Sequence, residues 1–216
     1  MKAGSGGRKK VLVAMSGGVD SSVAALLLKE QGWECVGCTM RLSDGDLPTA
    51  DEKACCSLDA VEDARSVAFR LGMPYYVFNF SDAFEKDVID PFVCSYTEGK
   101  TPNPCIECNR RLKFDRLYER AGLLGCDAVA TGHYARICRD GDRWSLKKAR
   151  DLSKDQSYVL YTLTQEQLSH TLFPLGEMTK QQDRQKRRKC FLHLVSLSFL
   201  LQTIVPPAST VSPSSS

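Results

Sequence analysis

Four times between residues 9 and 133 a short apolar run rich in β-formers alternates with a stretch of helical periodicity. The apolar runs are "KKVLVAM" (9–15), "ECVGCTM" (34–40), "YYVFNF" (75–80) and "CDAVATGH" (126–133), the last ending in a loop. Between them lie "DSSVAALLLKEQG", with Val23, Ala24, Leu27 and Leu28 on one face and Gly32 as its stop, and "SLDAVEDARSVAFRLG" (57–72), acidic near its start as the helix dipole favours. "SDAFEKDVIDPFVCSY", with Pro91 as a candidate interruption, and "RRLKFDRLYERAGLLG" complete the set. Short connections in such an alternation predict an α/β fold, a doubly wound parallel sheet of Rossmann type with helices on both faces. Beyond residue 133 the rhythm changes. "ARICRDGDRWSLKKAR" predicts a hairpin turning at Asp140-Gly141, and "KDQSYVLYTLTQEQLSHTLFPLG" predicts helices with a linker.

The first strand runs directly into Ser16-Gly17-Gly18-Val19-Asp20-Ser21 and then a helix. This is neither GxGxxG nor a loop ending in GK[ST], so neither dinucleotide binding nor Walker-type chemistry is implied. Two adjacent glycines permit a tight turn in which several backbone N–H groups face one anion. The helix beginning near Asp20 adds its positive end, and the Ser16 and Ser21 hydroxyls add donors. Asp20 is a candidate Mg²⁺ contact or loop-orienting group. The bland alternative is an ordinary strand-to-helix turn with a Ser/Asp cap.

Ten cysteines are present, and "MKAGSGGRKK" lacks the apolar core of a secretory signal. A reducing cytoplasm is the expected compartment, with most cysteines free and any close pair metal-binding or catalytic. "TPNPCIECNRR" (101–111) holds such a pair, Cys105 and Cys108, on a segment read as an exposed loop. Taken alone it leaves metal binding, dithiol cycling and reactive-sulfur chemistry open. Cys35 and Cys38 fall on a predicted strand and read as buried thiols; Cys55 and Cys56 read as small packing residues at a loop-to-helix junction. No second exposed CxxC accompanies Cys105 and Cys108, which disfavours a four-cysteine zinc site. A formal charge of +3, with 25% charged and 43% hydrophobic residues, fits a soluble globular chain and permits a nucleic-acid partner without requiring one.

SGGVDS resembles the pyrophosphate loop of the N-type ATP pyrophosphatases. Together with "ACCSLDAVEDARSVAFRLGMPYYVFNF" (54–80), "GKTPNPCIECNRRLKF" (99–114), "DAVATGHYAR" (127–136), "KDQSYVLYTL" (154–163) and "LFPLGEMTK" (172–180), the chain is similar to the tRNA-specific 2-thiouridylases of the MnmA type. The resemblance implies a fold like that of the adenine nucleotide α-hydrolases. It also implies a reaction in which ATP adenylates the C2 oxygen of the wobble uridine and sulfur then replaces that oxygen. Carried over by position, Ala14, Met15, Ser16, Gly17, Gly18, Val19, Asp20 and Ser21 match the ATP loop, Met40 an adenine-side backbone contact, and Gly132 a further ATP contact. Cys108 matches the catalytic cysteine. Asn103, Pro104 and Cys105 match the segment at the target base, Cys105 standing where some members carry an Asp proton handler. His133, Lys154, Asp155 and Gln156 match tRNA-facing positions; taken singly, His133 reads as a satisfied loop histidine and Lys154 as a solvated charge. The implied partners are tRNA and a persulfide donor protein, with ATP and Mg²⁺ as cofactors, no membrane, and a monomer. An adenylating thiolase using an iron–sulfur cluster is the alternative, with Cys105 and Cys108 as two of its ligands; a non-catalytic ATP- or tRNA-binding fragment is another.

On this reading residues 1–8 are a flexible N-terminus, 9–163 the catalytic domain and 164–181 the start of a central linker domain. Residues 182–216 are expected to be an aberrant, low-complexity tail. A basic run at Arg184, Lys186, Arg187, Arg188 and Lys189 precedes a stretch, Cys190–Ser216, without any Asp, Glu, Lys or Arg. "CFLHLVSLSFLLQTIV" is shorter than the ~20 residues that span a bilayer. The family's DSQxxCF segment, with its second catalytic cysteine, is absent, and Cys190 follows the Thr179-Lys180 pair too closely to replace it. A frameshifted or alternatively terminated reading frame is therefore expected, with one active cysteine and an incomplete tRNA grip.

Overall fold

The computed structural model describes residues 9–42 and 58–179, together with 181, 182, 184–186 and 188. The N-terminal segment 1–8, Cys55, Cys56 and the tail from residue 189 onward lie outside the described residues.

In chain order, β1 (Lys10–Ala14) leads to α1 (Val19–Glu30), β2 (Glu34–Arg41), α2 (Leu58–Arg70) and β3 (Tyr75–Asn79). A helical run follows as α3 (Ser81–Phe84), a π-helical turn (Glu85–Ile89) and α4 (Asp90–Thr97). A second run comprises α5 (Pro104–Glu107), a π-helical segment (Cys108–Arg116) and α6 (Leu117–Leu123), and then comes β4 (Ala128–Ala130). The ribbon β5 (Ala135–Asp140) and β6 (Arg143–Lys148), two 3₁₀ turns (Leu152–Lys154 and Ser157–Val159), α7 (Gln165–Ser169) and β7 (Thr171–Leu172) follow. The main sheet has the order β3-β2-β1-β4-β7, and every pair in it is parallel.

The alternation of β1 accounts for the layering. Val11 and Val13 pack with Val23, Ala24 and Leu28 of α1 and Ala64 and Ala68 of α2. Leu12 faces the other way, into a cluster with Val88, Leu112, Leu117 and Ala121. All three β1 residues are fully buried, as a central parallel strand covered on both faces must be. Helices therefore cover both faces, and the sequence-based α/β reading holds.

Four local expectations are corrected. Pro91 does not interrupt its helix: the run continues through it, with the proline in the first turn of α4, where a missing N–H costs least, directly after the wider π turn. Cys105 and Cys108 stand on a helix, not on an exposed loop. Asn103 is the N-cap, its side chain accepting from the Cys105 N–H, and Pro104 occupies the first turn. A fifth strand, β7, joins the sheet beside β4, and the preceding segment holds two single 3₁₀ turns and one five-residue α-helix. The hairpin pairs Asp140 with Arg143, which puts Gly141 (φ +59°) and Asp142 at the turn, one residue later than the pattern predicts.

Candidate nucleotide and thiol site

From β1 the chain winds outward through β2 and β3 on one side, whereas β4 and β7 lie on the other. The strand order therefore reverses between β1 and β4, and ligands of such sheets bind beyond the carboxyl ends at that point. Two glycine loops meet there. Gly17 (φ +72°) lies so close to α2 that a Cβ on it would sit 2.5 Å from the Ala60 carbonyl oxygen. Gly132, after β4, packs on the first turn of α1, where a Cβ would fall 2.8 Å from the Ser21 nitrogen. Both approaches are backbone to backbone, so only glycine fits.

The loop after β1 is held from within. Ser21 Oγ accepts from the Ser16 N–H (3.2 Å) and donates to the Gly18 carbonyl (3.0 Å), so its hydroxyl is turned into the loop. Ser22 Oγ donates to the same carbonyl at 3.0 Å. Gly18 is the N-cap of the twelve-residue α1 and offers no side chain to its first-turn N–H groups. Ser16, Gly18 and Val19 are exposed. An extended strand end, an uncapped helix start and exposed backbone make a seat suited to a polyphosphate. Met15 and Met40 have only backbone to offer a ligand, since their side chains are buried in the two core layers. The Met15 N–H donates to the Cys38 carbonyl (2.7 Å), and its carbonyl accepts from Thr39 Oγ1 (2.7 Å). Ala14, half-buried, ends the strand just before it.

Asp20 is reached by a residue the sequence reading did not single out. Tyr134, buried, donates its hydroxyl to Asp20 Oδ1 at 2.9 Å, and Lys154 Nζ donates to the Tyr134 oxygen at 3.2 Å. The Lys154 ammonium also lies 4.6 Å from the Tyr134 ring centroid. A polar line thus runs from the KDQ segment to the glycine loop. Gln156 and Tyr134 exchange two bonds, Tyr134 N–H to Gln156 Oε1 (3.0 Å) and Gln156 N–H to the Tyr134 carbonyl (2.9 Å). Asp155 accepts from the Ala149 N–H and the Ser157 hydroxyl, both at 2.7 Å. Burial opposes ionisation of Asp155, but these bonds and Lys148 outweigh it and hold its pKa below the ordinary carboxylate value. Asp155 and Gln156 therefore pin their segment to the base of the β5–β6 ribbon. Tyr134→Phe should weaken ATP binding about tenfold in a nucleotide titration, since it removes a hydrogen bond to a carboxylate while keeping the ring.

His133 sits between Phe114 and Phe173, with ring centroids 6.3 and 6.0 Å away, and its Nδ1 is 2.7 Å from Thr131 Oγ1. Burial, helped by Lys113, pushes its pKa down to about 3. The ring is therefore neutral from pH 5 to 8. Between pH 6.5 and 3 the unfolded chain takes up a proton that the folded one refuses, so stability falls as pH falls through that window. Urea unfolding at pH 7.5 and at pH 5 should show a loss of stability on acidification that is smaller in His133→Gln.

At the thiol end, Cys105 is exposed and Cys108 is buried. Cys108 opens the π-helical segment and belongs to the same apolar cluster as Met40 and Leu42, beyond the carboxyl end of β2. Two amides fix this segment. Asn109, 2% exposed, donates from Nδ2 to the Val159 carbonyl at 3.1 Å, and Gln167 Nε2 donates to Asp115 and to the Arg110 carbonyl. Neither amide was singled out from the sequence, and their partners are 50 to 57 positions away. Asn103, Pro104 and Cys105 form the outer first turn beside Cys108. Cys35 and Cys38 are buried as expected, burial pushing Cys35 to about 11 and Cys38 higher still. Among the described residues no three His, Cys, Asp or Glu side chains gather as metal ligands.

A family model described as "tRNA methyl transferase HUP domain" matches residues 9–197. Curated relatives named tRNA-specific 2-thiouridylase MnmA include that of Clostridium acetobutylicum, 54% identical over 86% of this chain and 53% of its own length. That of Moorella thermoacetica is 59% identical over 81% of this chain and 50% of its own. The chain thus spans about half the length of the curated relatives it matches. Among solved structures, a glutamine-dependent NAD⁺ synthetase from Acinetobacter baumannii in complex with ADP aligns with a TM-score of 0.52 at 15% identity, covering 94% of this chain and 33% of that one. An NMN synthetase from Francisella tularensis aligns at 0.50 and 18% identity, covering 86% and 63%. These two establish kinship of fold.

Proposed function

Because the chain belongs to the tRNA methyl transferase HUP-domain family, we propose that it is the nucleotide-binding and thiol-bearing part of a tRNA 2-thiouridylase. The observation that carries the reading is the meeting of the two glycine loops at the reversal of the strand order, with Cys108 in the cluster that extends from the neighbouring strand end. ATP would lie with its phosphates on the backbone from Ser16 to Asp20, its adenine toward the backbone at Met40 and its ribose side toward Gly132. Asp20, oriented by Tyr134, is the side chain placed to hold Mg²⁺ beside the phosphates.

A ring carbonyl such as C2 of uridine is a poor electrophile until its oxygen becomes a leaving group. Transfer of AMP to that oxygen releases pyrophosphate. The terminal sulfur of a cysteine persulfide then forms the C2–S bond as the C2–O bond breaks and AMP departs. A thiolate attacks the inner sulfur of the resulting C2–S–S–Cys linkage, which leaves the terminal sulfur on C2 and closes a disulfide. Cys108 is the thiol assigned to this stage, with Cys105 beside it as proton handler and Asn103 and Pro104 shaping the turn against the base. The base must leave the anticodon stack to reach them. Lys154, Asp155 and Gln156 would support the RNA side, and His133 would do so as a neutral imidazole. The sulfur comes from a persulfide donor protein, and a second cysteine outside the matched motifs would carry it as the persulfide, Cys108 being the thiolate that resolves the linkage. The setting is a cytoplasmic monomer; among the described residues no helix is long and apolar enough to cross a membrane.

The test is an assay of the chain with ATP, Mg²⁺, unthiolated tRNA and a persulfide donor, following pyrophosphate and 2-thiouridine separately. Pyrophosphate release that depends on tRNA supports the reading. Its absence, with ATP bound, overturns it.

A further inference from the structure

A cavity of about 340 Å³ opens beyond the carboxyl end of β3, lined by residues 79–83 and by Lys86, Arg116 and Arg120. No motif in the sequence marked it. Its cations come from three elements, the first π turn, the end of the second π segment and α6. The only acid in the wall is Asp82. Asp87, just outside, is engaged with Arg116 at 2.8 Å, a pairing that fixes the guanidinium at the rim. The Arg120 guanidinium lies 5.9 Å from the Phe78 ring centroid, held by the aromatic face beneath it. Two elements thus hold arginine forks in place beside a lysine, the combination that suits a phosphate.

A second observation says what kind of phosphate. Among the described residues β3 is an edge strand of the sheet; its Tyr76 and Phe78, with Phe80 just after it, form a stacked ladder with centroids 6.3 and 6.2 Å apart. Phe80 lines the cavity, Phe78 lies under Arg120, and Tyr76 at the outer end is 44% exposed. Of the three rings only Tyr76 is exposed, and a cationic hollow with an exposed ring near it is how single-stranded nucleic acid is held, the backbone on the charge and a base on the ring. Arg116 also closes the π-helical segment that Cys108 opens.

We infer that this cavity seats a backbone phosphate of RNA, with Tyr76 as the stacking surface for an adjoining base. The inference rests on the RNA-substrate reading of the preceding section and adds to it a contact remote from the glycine loops. It requires no change in ATP binding.

The experiment measures binding of unmodified tRNA to the full chain across a KCl series, alongside ATP and inorganic phosphate titrations. Lys86→Glu/Arg120→Glu should weaken RNA binding at least about tenfold at low salt and reduce the slope of log K against log salt by about 1 to 2. Tyr76→Ser should weaken binding about tenfold with the slope unchanged. ATP affinity should stay the same in both variants. Unchanged RNA affinity and slope in the charge-reversal variant would overturn the assignment. So would weakened ATP or inorganic phosphate binding with RNA binding intact, which would make the cavity a small-anion site. If tRNA-dependent pyrophosphate release persists while the variant binds normally, only the cavity fails; if the wild-type chain binds no tRNA, the RNA reading fails with it.

Discussion

Where a partner supplies the second, persulfide-bearing cysteine, Cys108→Ala should lower sulfur incorporation into tRNA at least ~10³-fold while tRNA-dependent pyrophosphate release continues. On the proposed function the two outcomes separate, because adenylation would use the glycine loops and sulfur transfer the thiol. The side chain is 9% exposed and packs against an apolar cluster, so alanine leaves a small void. Alanine is also a strong helix former, and the run from Pro104 to Leu123 is helical throughout. Cys105→Ala, on the exposed outer turn, should cost less. Mass analysis of tRNA nucleosides reads thiolation, and a coupled pyrophosphate assay reads activation. Retained thiolation in Cys108→Ala would remove it as the reactive thiol, and equal loss of both signals would make its role structural.

Gly132→Ala should reduce the pyrophosphate-release rate by about 10², with Gly17→Ala acting in the same direction. The Cβ at 132 would stand 2.8 Å from the Ser21 nitrogen and 2.9 Å from the Asp20 carbonyl carbon. Neither neighbour is a side chain that can swing away; both belong to the first turn of α1. Something must move by a sizeable fraction of an ångström, and misplacement of about 1 Å in a positioned site costs roughly 10² in rate. At Gly17 a left-handed φ adds strain to the contact with Ala60. Steady-state pyrophosphate release with saturating tRNA measures the effect. A rate within threefold of wild type at both positions would mean that the close approach of the two loops does not shape the nucleotide seat.

The parts of this fold that sequence patterning reveals are those with many apolar residues in a row. β1, β2 and β4 are legible because buried parallel strands are nearly continuous in Val, Leu, Ala and Cys, and β3, an outer strand, through its run of aromatic β-formers. β7 is two residues long and exists only through its pairing with β4, so no local pattern marks it. The helical start at Asn103-Pro104 carried its own signal, a capping residue before a proline, which the conspicuous cysteines overshadowed. The π-helical widening from Cys108 has no signature in side-chain periodicity. Within the site, the glycines and the cysteine pair were visible because their chemistry is unusual. Tyr134, Asn109 and Gln167 were not, since each acts through a hydrogen bond to a distant segment: Tyr134 to Asp20 is 114 positions away.

The pairing of β1 with β4 has a consequence for how the chain is made. Lys10 and Asp127, bonded at the start of those strands, are 117 positions apart. At roughly 5–20 residues per second of synthesis, β1 and the glycine loop wait about 6 to 23 s for the strand and the Gly132 loop that complete their seat. Until β4 emerges, Val11, Leu12 and Val13 have only β2 as a strand neighbour, and one edge of the central strand stands open. An emerging chain halted before residue 128 would therefore carry the whole SGGVDS motif with no nucleotide site, and would present an unpaired parallel edge to whatever chaperone or sister chain it meets.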